Sequence, residues 1–162
     1  MTGTSDEHIA LLEQLQPLLS PSPTLPTLHS VLVTTPQAVS LSDVSKELSF
    51  ARKTQTPVLG LIENMAGYMC PHCNEVTAVF GLGGGEEFCR LEEEKLAKGE
   101  GEGCTFLGRV PIDIEFVKLM DNAVRVEGEG SLVERYMRIP TYEIFKGITE
   151  GLVQAVKRKI EA

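Results

Sequence analysis

The stretch Val58-Leu59-Gly60-Leu61-Ile62-Glu63-Asn64-Met65 leads, a few residues on, into Cys70-Pro71-His72-Cys73. Its opening residues are almost continuously apolar, the pattern of a strand covered on both faces of a parallel sheet. A second run of this kind, Val31-Leu32-Val33, lies inside residues 28–34. Thr35-Pro36-Gln37 then breaks that strand, and Leu41, Val44, Leu48 and Ala51 recur at helical spacing through residues 41–53. Strand, helix and strand within about 35 residues predict a right-handed crossover joining parallel strands. Ligands of such sheets gather beyond the carboxyl ends of the strands, which is where Glu63-Asn64-Met65 and the cysteine pair are expected.

Working outward, Thr4 and Glu7 form a capping box for a first helix whose apolar stripe is Ile9, Leu12, Leu15, Leu18 and Leu19. Ser20-Pro21-Ser22-Pro23-Thr24-Leu25-Pro26 is a stiff connector. After the cysteine pair, residues 74–80 suit a short strand, and Gly81-Leu82-Gly83-Gly84-Gly85 opens a helix running to about residue 98. Glu86 with Arg90 and Glu94 with Lys98 are spaced as i,i+4 pairs, so this acidic run reads as a solvated helix face. Residues 98–103 read as a loop, 105–110 as a strand closed by Pro111, and 114–120 as a short helix. A glycine-rich turn at 128–130 precedes a long last helix with Phe145, Ile148, Leu152 and Val156 on one face. The expected fold is one α/β domain over residues 1–162, a mostly parallel sheet flanked by helices.

Charge and cysteine usage restrict the functions available. A net charge of -8 argues against nucleic acid or an anionic membrane as the main partner. No apolar run approaches the roughly 20 residues that cross a bilayer, and the start carries no secretory pattern, so a cytosolic location is expected. Four cysteines in that setting read as thiols or metal ligands rather than a disulfide frame.

Cys70-Pro71-His72-Cys73 is the motif that carries chemistry. Two cysteines so spaced can turn both sulfurs to one centre, because a tight backbone knuckle directs free N-H groups at the thiolates. Tetrahedral thiolate ligation needs four sulfurs, and the chain has no second Cys-x-x-Cys. The expectation is a shared site, with Cys70 and Cys73 of two chains meeting around one metal centre. Four thiolates suit zinc and iron-sulfur clusters alike. A redox dithiol would need the first cysteine at a helix N-terminus, whereas Asn74-Glu75-Val76-Thr77 is poor helix sequence. Cys89 and Cys104 read as small core residues and His72 as a loop filler, while His8 and His29 carry no assigned chemistry. The glycine run fails as a Walker loop, since Glu86 and Glu87 stand where a Lys and a Ser or Thr are required.

Taken in order, Gly3-Thr4-Ser5-Asp6-Glu7-His8, Thr34-Thr35-Pro36-Gln37, Ile62-Glu63-Asn64-Met65, Cys70-Pro71-His72-Cys73, the glycine run after Phe80, and Leu107-Gly108-Arg109-Val110-Pro111-Ile112-Asp113 resemble successive signatures of the Mrp-type P-loop ATPases of cytosolic iron-sulfur cluster assembly. The resemblance implies a P-loop NTPase fold, of which this chain would be the C-terminal part. It implies that Cys70 and Cys73 bind a [4Fe-4S] cluster bridging two protomers, in a homodimer or a heterodimer with a related scaffold ATPase, for transfer to recipient apoproteins. It also implies ATP and magnesium as the nucleotide of a full-length member, with Asn64 at the base, Pro111 lining the same pocket and Gly3 in a segment that senses the γ-phosphate. About the first 100 residues of such a member, Walker loop included, would precede Met1, leaving apolar sheet edges uncovered. The chain by itself is therefore expected not to hydrolyse ATP.

Overall fold

The computed structural model describes residues 5–15, 17, 28–101, 103–121 and 131–160. In chain order its elements are α1 (Ser5–Leu15), β1 (Ser30–Thr34), α2 (Ala38–Lys53), β2 (Val58–Met69), β3 (Val76–Thr77), α3 (Gly84–Ala97), β4 (Phe106–Ile112), α4 (Ile114–Asp121), α5 (Leu132–Tyr136) and α6 (Thr141–Ile160). The capping residue Thr4, the outer stripe positions Leu18 and Leu19, and the 128–130 turn lie outside the described residues.

β2 is the central strand. It pairs in parallel with β1 on one edge and with β4 on the other, as the crossover pattern predicts. β3 pairs antiparallel with the far end of β2, through Tyr68 with Thr77 and Met69 with Val76. Val44, Leu48, Leu61, Cys89 and Cys104 form a buried cluster between α2, α3 and the sheet, with Leu32, Val58, Phe88 and Phe106 packed against it. α6 packs against β4, where Ile148 fills the space beside Gly108.

Three expectations need correcting. β2 does not stop at Ile62 but continues to Met69, so Asn64 lies within it. Of residues 74–80 only Val76 and Thr77 form a strand, because the chain must first turn through the cysteine segment before it can pair back. Val33 is 59% exposed, and Val31 and Leu32 are only half-buried, rather than covered on both faces.

The acidic run of α3 is also not wholly solvated. Glu92 is buried, held by Arg52 of α2 at 2.8 Å and by Lys95 at 2.5 Å. Arg90 pairs with Glu87 and Glu94, and Glu86 reaches across to Arg109 of β4 instead.

The end of β4 is secured by one carboxylate. Asp113 Oδ1 accepts the backbone N-H groups of Glu115 (2.9 Å) and Phe116 (3.3 Å), capping α4, while its Oδ2 accepts the fully buried Thr141 hydroxyl at 2.9 Å. An N-terminal cap and a buried hydroxyl therefore share one acceptor. Asp113→Ala is expected to cost about 2–4 kcal/mol, losing the cap and leaving the Thr141 hydroxyl unpaired. Urea unfolding midpoints of the two proteins check this.

Candidate metal centre

Cys70 directly follows the last residue of β2, and the backbone reverses at once. The Cys70 N-H donates to the Glu75 carbonyl and the Asn74 N-H donates to the Cys70 carbonyl, both at 2.9 Å. Asn74 adopts a left-handed conformation, φ 59°, which its short polar side chain tolerates. The turn brings the backbone N-H groups of His72 and Cys73, and the Cys73 thiol, to the Cys70 sulfur. These donors stabilise the thiolate, with His72 N-H the largest contributor, and hold the Cys70 thiol below its ordinary pKa. Cys70 is half-buried and Cys73 exposed. The exposed His72 contributes its backbone rather than its ring.

The segment offers two thiols close together. Among the described residues no three His, Cys, Asp or Glu side chains converge on a metal position. Two thiols are fewer than the four that a tetrahedral thiolate centre takes, and the N-H groups behind Cys70 are of the kind that stabilise a thiolate. Val76, Val79, Phe80 and Leu82 follow the knuckle and are all exposed, Leu82 at 72%.

Gly67 makes the knuckle possible. At φ 158° its Cα lies so close to β3 that an added Cβ would meet Val76 Cγ1 at 2.7 Å and the Thr77 carbonyl oxygen at 2.8 Å. The β2–β4 register shifts between Asn64 and Tyr68, and Met65 within that irregularity is left-handed at φ 55°. The Asn64 side-chain oxygen accepts the Met65 N-H at 2.9 Å and supports this bend.

Asn64 pairs with Val110 across the β2–β4 ladder, which places it beside Pro111 on the neighbouring strand. Pro111 is buried in β4, and Gly3 lies outside the described residues. Asn64 and Cys70 are thus carried by one strand and its first following residue.

Two residues were missed in the sequence. Glu63 is fully buried; its Oε2 accepts the Gly85 N-H in the first turn of α3 at 2.6 Å, and its Oε1 accepts Arg109 Nε at 3.3 Å. Arg109 lies 5.2 Å over the Phe106 ring and also pairs with Glu86. An acidic residue directly after a run of buried-strand residues was the available signal for Glu63. Nothing comparable pointed to Arg109.

Residues 2–152 match the ParA family of NUBPL iron-transfer P-loop NTPases. The chain belongs to that family. Its P-loop NTPase membership agrees with the mostly parallel, helix-flanked sheet. Proteins named cytosolic Fe-S cluster assembly factor CFD1 are similar to it: 45% identical over 91% of this chain in Yarrowia lipolytica, 52% over 75% in Mycosarcoma maydis, and 41% over 96% in Aspergillus oryzae. The chain spans about half or less of these relatives, covering 44%, 28% and 55% of them respectively. A solved nucleotide-binding protein of Archaeoglobus fulgidus in complex with ADP is 36% identical over 64% of this chain and 39% of its own, with a TM-score of 0.46.

Because the Cys70 pKa is lowered, its thiolate persists to lower pH than in the unfolded chain. Alkylation by iodoacetamide should reach half its maximal rate at a lower pH at Cys70 than in an unfolded control, and Cys73→Ala, which removes the side-chain donor, should move that midpoint back up. Gly67→Ala, by forcing β3 away, should also return it toward the unfolded value. Peptide-resolved alkylation rates across pH test both.

Proposed function

We propose that this chain is the cluster-holding part of a cytosolic iron-sulfur cluster assembly factor. Cys70 and Cys73 of one chain supply two thiolates, and a second chain, either another copy or a related scaffold ATPase, supplies the other two. The cargo is a [4Fe-4S] cluster bridging the pair, passed on to apoproteins. The observation that carries this reading is the two-sulfur knuckle itself, primed by N-H donors and lacking further ligands among the described residues. The family's description as iron-transfer NTPases and the names of its fungal relatives support it, the latter also supporting the cytosol as its place. The exposed apolar residues from Val76 to Leu82 offer a second chain a surface beside the sulfurs.

In this reading Asn64 and Pro111, neighbours across the β2–β4 ladder, face the nucleotide base, and Gly3 belongs to the segment that follows the γ-phosphate. Cluster transfer then requires that the two chains part and that cysteines of the recipient displace the thiolates of both chains, one pair after the other. Bridging zinc is the second reading, favoured by the same four-thiolate chemistry. The arrangement of a thiol-disulfide oxidoreductase is not formed, because Cys70 follows a strand and Cys73 lies in the turn before β3, neither opening a helix.

Anaerobic reconstitution with iron and sulfide tests the proposal. The expected product is a brown dimer with one four-iron cluster per two chains, and Cys70→Ser or Cys73→Ser should abolish both colour and dimer. A colourless dimer holding zinc would favour the second reading. A coloured monomer, or colour retained without both thiols, would overturn the proposal.

A further inference from the structure

Cys89 and Cys104 stand apart from the knuckle and take no part in the function proposed above. Cys89 lies in α3, and Cys104 in the irregular segment that leads from α3 into β4. The fold brings these residues, 15 positions apart, to a sulfur-to-sulfur distance of 3.6 Å, with the Cys89 thiol donating to Cys104 Sγ. Each is 3% exposed, within the cluster of Val44, Leu48 and Leu61. Arg52, paired with Glu92 at 2.8 Å, favours negative charge on Cys104, while burial and the carboxylates of Glu92 and Glu93 oppose it; among the described residues the buried Arg52 Nε has no hydrogen-bond partner. The hydrogen bond to Cys104 and burial keep Cys89 protonated, whereas the same bond lowers the Cys104 pKa. Of the two sulfurs, Cys104 is thus the one on which the shared hydrogen bond favours a thiolate.

A disulfide bond of about 2.05 Å requires the two sulfurs to approach by about 1.5 Å. Cys89 is fixed in a helix, and Cys104 stands between Gly103, left-handed at φ 73°, and Thr105, whose carbonyl oxygen accepts the Leu61 N-H of β2 at 2.9 Å. The approach therefore draws on the backbone at Gly103 and on the two cysteine side chains, with Thr105 held to the sheet.

We propose that Cys89 and Cys104 are an oxidative modification site, converted by hydroperoxides to an internal disulfide. The Cys104 thiolate attacks one peroxide oxygen and the O-O bond breaks. The departing hydroxide takes up the proton that Cys104 released, leaving as water and a sulfenic acid on Cys104. Cys89 sulfur then attacks Cys104 sulfur, the S-O bond breaks, and hydroxide leaves with the Cys89 proton as a second water. Two thiols are oxidised and one hydrogen peroxide is reduced to two waters. The new bond ties the middle of α3, whose first turn is held by Glu63 of β2, to the entry of β4.

The test is peptide mapping of the whole chain, and of its Cys70→Ser/Cys73→Ser variant, after exposure to hydrogen peroxide, then unfolding and alkylation. The expected result in both proteins is loss of two alkylatable thiols as one peptide joining Cys89 to Cys104, lighter by two hydrogens and released by dithiothreitol. The proposal is overturned if both residues remain fully alkylatable under conditions that oxidise Cys70 and Cys73 in the parent chain. Unlinked sulfinic or sulfonic acids at Cys89 or Cys104, or cross-links from them to other cysteines, would overturn it equally.

Discussion

A carboxylate with no exposure to water, Glu63 in the central strand, sets the geometry of the molecule. Ionised carboxyl groups are costly to bury unless every oxygen finds a strong partner. Here one oxygen takes the backbone N-H of Gly85 and the other the guanidinium of Arg109, so three elements must close on one point: α3, β2 and β4. The position at the first turn of α3 adds the favourable end of the helix dipole. Gly85 has no side chain for a reason visible here, since a Cβ would lie 3.0 Å from the Glu63 oxygen. The acidic residues after the glycine run thus face Arg109 and Arg90 rather than a phosphate.

Irregular pairing does the rest of the positioning. Between Phe106 and Gly108 the ladder with β2 slips, so Phe106 and Arg109, three positions apart, come together and the guanidinium reaches both the ring and Glu63. Strict alternation would have sent Arg109 to the opposite face. A second slip, between Asn64 and Tyr68, bends β2 just before the cysteines. Bulges of this kind re-aim residues at the ends of sheets, and here one separates the residue proposed to meet nucleotide from the residue proposed to meet metal. β4 pairs with β2 on both sides of this irregularity, Val110 with Asn64 and Ile112 with Tyr68.

Much of this was legible in the chain. The apolar runs at residues 31–33 and 58–62, separated by a helical period, determined parallel pairing, because strands with a crossover helix between them have little other choice. Cys70-Pro71-His72-Cys73 indicated a tight backbone turn, and the backbone does reverse there, through the Cys70 N-H to the Glu75 carbonyl and the Asn74 N-H to the Cys70 carbonyl. Tertiary structure alone decided the length of β2, the burial of Glu92, the partners of Glu63 and the meeting of Cys89 with Cys104. Those depend on ladder slips and on contacts between residues 15 to 46 positions apart, as from Cys89 to Cys104 and from Glu63 to Arg109. Local periodicity carries no record of such distances, whereas turn and strand preferences are written in neighbouring residues.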